Sequence, residues 1–129
     1  MKKIEQLSKI IQDYVNAYNN FDVHCMIKNL HEDVIFKNIS NDEVNLTTNG
    51  KLAFEEQALQ AKQYFKTRQQ SITNIVFTNE IAEISIDYRG IIAFDLPNGL
   101  KENDKIELQG KSIFRFTNDK IIEITDISY

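Results

Sequence analysis

The chain has 129 residues, a single cysteine and a formal net charge of -4. This length suits one domain, and residues 1–129 are therefore treated as a single domain without a linker. The acidic balance argues against a nucleic-acid-binding surface, because such surfaces concentrate lysine and arginine on one face. A lone cysteine cannot form an internal disulfide, and we interpret Cys25 as a small buried hydrophobe in a reducing cytoplasm.

The chain begins with a basic segment, but it does not continue as a signal peptide. Polar and charged residues such as Glu5, Lys9 and Asp13 interrupt any apolar core there. Nowhere does the chain approach the roughly 18 consecutive apolar residues of a membrane span. The sequence therefore predicts a soluble, cytoplasmic protein that has neither nucleic acid nor a membrane as a partner.

Three helices are predicted in the first half of the chain. The first runs to about Asn19, because apolar residues recur there at spacings of three and four, as on one face of an amphipathic helix. Asp22 is a good N-cap for a short second helix, and Phe21 and Met26 have the spacing of a hydrophobic staple around it. The third helix follows Gly50 and carries one apolar stripe, formed by Phe54, Ala58, Ala61 and Phe65.

From Asp33 onward the apolar period changes to two, which predicts β-strands. Val34, Phe36 and Asn38 share one face of the first strand, and a short strand is predicted at 44–48. Further strands are predicted at 70–78, 82–89 and 106–116, and a final strand follows the turn at 117–119. Three helices followed by a run of antiparallel strands predict an α+β fold, in which a twisted sheet curls around the first helix.

Two polar residues interrupt the apolar faces of the last two strands. These faces consist of Ile106, Leu108, Gly110, Ser112, Phe114 and Phe116, and of Ile122, Ile124, Asp126 and Ser128. We predict that Ser112 and Asp126 point into a closed cavity. Apolar surroundings raise the pKa of a carboxyl group, so Asp126 would suit the role of a general base. The alternative is that Asp126 is solvated or paired with Arg115 or Arg89.

Two parts of the chain resemble the nuclear transport factor 2-like domains, particularly the SnoaL-like polyketide cyclases and the ketosteroid isomerases. They are residues 14–22 with 30–36, and residues 112–124. The resemblance implies a cone-shaped, cystatin-like α+β barrel, in which a curved antiparallel sheet wraps around N-terminal helices. This fold serves isomerases, cyclases, dehydratases, epoxide hydrolases and binding modules, so it specifies structure more than activity.

The resemblance also implies which residues line the cone. Tyr14 falls where ketosteroid isomerases keep the tyrosine of their oxyanion hole, while their carboxylate base and their protonated aspartic acid would fall at Asn38 and Ser112. Because both acids are missing, we do not expect a steroid isomerase. The predicted catalytic residues are Asp126 and Tyr14, and the predicted ligand-binding residues are Asn38, Ser112, Tyr88, Tyr18, Phe36 and Phe114.

The opposite face of the sheet carries apolar residues between charged ones. It is formed by Ile35, Ile39, Ile113, Ile121 and Ile127, interspersed with Lys37, Arg115 and Glu123. In the resembling family this outer face pairs two subunits back to back, which predicts a homodimer of C2 symmetry. His24 and His31 are too few for a metal site of three or four ligands, and no motif implies a cofactor.

Three functions remain open at this stage. The first is a cofactor-independent isomerase, cyclase or lyase that acts on an apolar, carbonyl-bearing small molecule. The second is a non-catalytic module that binds an apolar small ligand in the cone, and the third is a dimerisation or assembly domain. A hollow cone favours the first two functions, whereas a cone filled by side chains leaves the third.

Overall fold

The computed structural model describes residues 2–129. The helices are α1 (Lys2–Asn19), α2 (Val23–Met26) and α3 (Lys51–Ala61), and a 3-10 turn follows at Lys62–Tyr64. The strands are β1 (Leu30–Ser40), β2 (Glu43–Asn49), β3 (Phe65–Thr78), β4 (Ile81–Ile92), β5 (Lys105–Thr117) and β6 (Lys120–Ser128). None of the helices in this described range has the length and apolar character that crossing a membrane requires.

The first helix buries one apolar face in the core. Leu7, Ile11 and Val15 lie on this face and are almost inaccessible to solvent, as their spacing predicts. The helix ends at Asn19, whose side-chain amide donates to the Gln70 carbonyl at 3.1 Å and accepts from the Gln70 N–H at 2.7 Å. These two bonds fix the C-terminal end of α1 against β3.

The second helix is capped as predicted, but its cysteine is not buried. The Asp22 carboxylate accepts a hydrogen bond from the Cys25 backbone N–H at 3.1 Å, which confirms Asp22 as the N-cap. Val23 and Met26 face the core, and the intervening Cys25 is exposed, so its interpretation as a buried hydrophobe is wrong. Hydrogen bonding to Asp22 raises the pKa of the Cys25 thiol, which therefore lacks the activated thiolate of a catalytic cysteine.

The strands form one curved, unclosed sheet in the order β2-β1-β6-β5-β4-β3. Neighbouring strands are antiparallel except for β1 and β6, which pair in parallel. The first strand therefore lies beside the last one, which brings Asn38 next to Asp126 in register. The predicted α+β fold, a curved sheet around the N-terminal helix, is confirmed, with this one parallel pair in an otherwise antiparallel sheet.

The third strand starts earlier than its apolar pattern indicates. It begins at Phe65, which pairs with Ile92 of β4, so the prediction that Phe65 extends the third helix is wrong. The predicted strand began at Gln70 because polar side chains precede it and no apolar alternation is visible there. Pairing with β4 decides the conformation of this segment, as tertiary context often does for strands.

The sixth strand contains a β-bulge that corrects two predicted positions. Arg115 pairs with Glu123 but Phe116 pairs with Ile121, so Ile122 is an extra residue on β6. Ile121, predicted on the outer face, is consequently fully buried, and Ile122, predicted to face inward, is partly exposed. Asp126 lies beyond the bulge, so the alternation that predicted its face is undisturbed.

Candidate active site

The sheet and the helices α1 and α3 surround a cavity of about 340 Å³, which is partly open to solvent and not closed as predicted. The cone is therefore hollow, which favours the two small-molecule functions over the assembly domain. Apolar side chains form much of the wall, among them Met26, Leu46, Phe54 and Ile86. Of the predicted site residues, the structure brings Tyr14, Tyr18, Phe36, Asn38, Tyr88, Ser112 and Asp126 together in this wall.

Phe114 is the predicted ligand-binding residue that does not line the cavity. Its side chain is almost wholly buried in the core. Its ring packs edge-on against Tyr14, with the ring centroids 5.6 Å apart. Phe114 thus contacts the Tyr14 ring from within the core. It can position Tyr14, but it does not itself line the cavity.

Three polar residues form a row across adjacent strands. Asn38 on β1 is in register with Asp126 on β6, and Asp126 is in register with Ser112 on β5. The Ser112 hydroxyl is buried and donates a hydrogen bond of 2.6 Å to Asp126 Oδ1. Because side chains in register project from the same face of a sheet, the row presents one carboxyl group between two hydrogen-bonding residues.

The surroundings of Asp126 raise the pKa of its carboxyl group to about 6. Burial is the main cause, because it disfavours the charged form, and the Ser112 hydrogen bond opposes it by stabilising the carboxylate. Asp126 is half-buried and lines the cavity. The alternative pairing with Arg115 is not present, because Arg115 contacts Glu123 at 2.8 Å.

Tyr14 projects from α1 as a protonated hydroxyl. Burial raises its pKa well above the usual value, and the negative charge of Asp126 raises it further. Hydrogen bonds within residues 2–129 include none to the Tyr14 hydroxyl, whereas the Tyr18 hydroxyl lies 2.7 Å from that of Tyr88. Tyr14 is therefore the phenol available to a ligand, and Tyr18 and Tyr88 satisfy each other.

Sequence reasoning missed Arg68, which also lines the cavity. Only 5% of its surface is exposed, although it is a cation. Its Nε donates to the Tyr18 backbone carbonyl at 3.0 Å, and its guanidinium carbon lies 3.7 Å from the centre of the Tyr18 ring. The strand periodicity could have identified it. Gln70 lines the cavity, and side chains two residues apart in a strand lie on the same face, so Arg68 is expected on the cavity side as well.

A metal site does not emerge from the described side chains. Within residues 3–129, no group of three or more histidine, cysteine, aspartate or glutamate residues is placed to hold a metal ion. His24 is exposed on α2, and His31 at the start of β1 accepts a hydrogen bond from the Asp33 backbone N–H at 3.0 Å. The cavity wall contains the Asp126 carboxyl group, the Tyr14 phenol and the Arg68 guanidinium group.

Comparison with solved structures identifies the fold. The chain superposes on a proposed polyketide cyclase from Xanthomonas campestris pv. campestris with a TM-score of 0.82 and 17% identity, covering 95% of this chain and 90% of that one. For a proposed SnoaL-like polyketide cyclase from Jannaschia sp. CCS1, the TM-score is 0.82 and the identity 8%, with coverage of 96% and 85%. The chain has the SnoaL-like fold.

A third structure extends the likeness to the ketosteroid isomerases. A protein with the ketosteroid isomerase-like fold from Catenulispora acidiphila, in complex with trimethylamine, gives a TM-score of 0.74 and 13% identity, covering 91% of this chain and 82% of that one. No family model matches the sequence. No curated protein sequence matches it either. The SnoaL-like fold predicted from residues 14–22, 30–36 and 112–124 is confirmed.

The structure shows how this chain departs from the acids that the resemblance implies. The two implied acid positions, Asn38 and Ser112, lie on β1 and β5, and β6 runs between these strands. The carboxyl group of Asp126 is on that middle strand, in register with both positions. Within this SnoaL-like fold, a single central acid therefore occupies the space between the two positions where the resembling isomerases carry theirs.

Proposed function

We propose that the protein is a cofactor-independent enzyme that moves a proton to and from the carbon beside the carbonyl of an apolar small molecule. The observation that carries this proposal is a carboxyl group with a pKa of about 6 that lines the same cavity as a free phenol. A general base works best when its pKa lies near the working pH. Asp126 therefore has the acid strength that such proton transfer requires.

Each residue has a defined part in the proposed step. The Asp126 carboxylate takes a proton from the α-carbon, so a C–H bond breaks and an O–H bond forms on Asp126. The electron pair moves to the carbonyl oxygen, and the Tyr14 hydroxyl donates a hydrogen bond to that developing oxyanion. Asp126 then returns the proton to the same carbon or to another one. Isomerisation, ring closure and elimination all begin with this proton removal.

The other polar residues position the base and the ligand. Ser112 donates to Asp126 Oδ1 and so holds the carboxylate in one orientation. Asn38 lies in register with Asp126 and can donate or accept a hydrogen bond, but it cannot take a proton near neutral pH. A non-catalytic binding module ranks second, because such a module does not need a carboxyl group that titrates near pH 6.

Exchange of α-protons in heavy water tests the proposal without knowledge of the natural substrate. We expect the protein to accelerate deuterium uptake by 1-indanone or 1-tetralone, followed by proton NMR, above the rate in buffer alone. Because only the carboxylate form is a base, kcat/KM should rise with pH through a midpoint near 6 and then level off. Exchange that never exceeds the buffer rate across pH 5–8 with either ketone would contradict the proposed function.

We further propose that the protein works as a homodimer in the cytoplasm. Ile35, Ile113 and Ile127 of the outer face remain partly exposed in the single chain, and the free, exposed thiol of Cys25 suits a reducing compartment. Light scattering should give twice the mass of the 15.0 kDa chain, and Ile113→Lys should shift it to the single-chain value. A native mass of one chain at micromolar concentration would refute the dimer.

A further inference from the structure

The geometry points to an anion-binding subsite at Arg68, and hence to a ligand that carries a carboxylate on its apolar skeleton. This inference rests on the cavity being the ligand site, as proposed above, but it concerns binding and not proton transfer. The positive charge of Arg68 is buried and has no negatively charged partner within residues 3–129. Nothing in the proposed proton transfer uses that charge.

Arg68 is a buried cation without a carboxylate partner. No aspartate or glutamate in the described chain lies within ion-pair distance of its guanidinium group, although ion pairs involving other lysines and arginines are present. Taking an unpaired charge out of water has a large free-energy cost unless other groups compensate it. A ligand that supplied the missing negative charge would recover part of that cost.

Protein groups contact one edge and one face of the Arg68 guanidinium group, and these contacts offset part of its lost hydration. Nε donates to the Tyr18 carbonyl near the C-terminal end of α1, where the helix dipole is negative. The guanidinium carbon also lies 3.7 Å from the Tyr18 ring centre and 4.7 Å from that of Phe21, and both contacts favour a cation. These contacts hold the group rigidly in place.

One donor nitrogen of the guanidinium group is both buried and unpaired in the described part of the chain. Nη2 of Arg68 is buried and has no hydrogen-bond partner among the described residues. A buried donor without an acceptor destabilises the folded protein, so such groups are usually paired. A guanidinium group presents its N–H bonds in one plane, a geometry that matches the two oxygens of a carboxylate. Because Arg68 lines the cavity, a ligand there can provide the acceptor.

The cavity wall carries two opposite charges, Arg68 and ionised Asp126, which are not paired with each other. Both act on the same phenols: Arg68 lowers and Asp126 raises the pKa of Tyr14, Tyr18 and Tyr88. The pKa of Asp126 itself is set by burial and by Ser112, so Arg68 is not the partner of that carboxylate. A ligand with its anion at Arg68 and its reacting carbon at Asp126 would fit this arrangement.

A matched pair of ligands tests the subsite by binding alone. At pH 8, isothermal titration should show that 2-naphthoate binds the native protein at least about tenfold more tightly than 2-naphthamide, because the carboxylate brings a negative charge and a second acceptor oxygen to the guanidinium group. Arg68→Met should remove this preference while changing the affinity for 2-naphthamide less than about threefold. Arg89→Met is the control, since Arg89 is exposed, does not line the cavity and should leave the preference unchanged.

Arg68→Lys keeps the test decisive if Arg68→Met does not fold. Lysine retains the charge but loses the planar fork, so the preference for 2-naphthoate should fall by about threefold to tenfold. Equal binding of the two ligands by the native protein, or an undiminished preference in Arg68→Lys, would overturn the subsite. Binding of neither ligand would overturn it as well. The ketone exchange experiment uses neutral compounds and decides the proposed function separately.

Discussion

Replacing Asp126 with asparagine is expected to lower α-proton exchange by about 10²- to 10⁴-fold, because the amide cannot accept the proton. Asparagine keeps the size of the side chain and can still accept the Ser112 hydrogen bond, so the cavity should retain its shape. The kcat of the variant and the native protein should be compared at pH 8 with the same ketone. There the native carboxyl group is ionised and fully active as a base.

The control for this experiment is Asp87→Asn on β4. Asp87 is an exposed aspartate on a neighbouring strand that does not line the cavity, so its replacement should leave exchange unchanged. Near-native exchange in Asp126→Asn, with the same fold by circular dichroism, would show that Asp126 is not the base. An equal loss in both variants would indicate a general effect of removing a negative charge.

The same substitution should stabilise the protein at pH 8. The pKa of Asp126 is about 6 in the folded state against 3.8 for a free aspartate, so the folded state binds the proton more tightly. Stability therefore falls as pH rises through this window, and ionised Asp126 costs about 1–3 kcal/mol above it. The stability advantage of Asp126→Asn should be small at pH 4, grow up to pH 6 and level off above pH 7. Thermal denaturation at these values measures it.

Tyr14→Phe is expected to lower kcat by about 10²- to 10³-fold with little change in KM, as the loss of an oxyanion donor does. The substitution should leave stability almost unchanged, because the Tyr14 hydroxyl has no hydrogen-bond partner within residues 2–129. Its ring contacts with Phe54 and Phe114 are retained by phenylalanine. Exchange kinetics at several ketone concentrations separate kcat from KM.

Tyr129→Phe serves as the control for the loss of a phenol. Tyr129 is exposed at the end of the chain, away from the cavity lining, and its replacement should not alter exchange. A Tyr14→Phe variant with native kcat would remove Tyr14 from the proposed step. A change confined to KM would instead assign the Tyr14 hydroxyl to ligand binding, in the ground state and the transition state alike.

Much of the fold was accessible from the sequence because its signals are local and regular. The period of α1 and the Asp22 cap follow from short-range rules, and alternation on the last strands placed Asp126 and Ser112 on one inward face. The Ile121 and Ile122 positions could not be predicted in the same way, because the bulge exists only through pairing with β5.

The cationic part of the site escaped prediction for a different reason. Arginine is normally exposed, so the polar segment around Arg68 was not extended into the strand that begins at Phe65. The burial of Arg68 depends on the backbone carbonyl and ring of Tyr18 and on the ring of Phe21. Tyr18 and Phe21 are both distant from Arg68 in the sequence. The period of two that continues back from Gln70 gives the face of Arg68, but it cannot show that Tyr18 and Phe21 bury the side chain there.

The most direct test of Asp126 as the general base is the titration of its carboxyl group. The carboxyl carbon of Asp126 can be assigned in a carbon-13-labelled protein by comparison with Asp126→Asn and followed by NMR from pH 3 to pH 8. We expect a titration midpoint near pH 6, because burial raises the pKa more than the Ser112 hydrogen bond lowers it. A midpoint at or below about 4, the value of a solvated aspartate, would contradict the assignment of Asp126 as the general base.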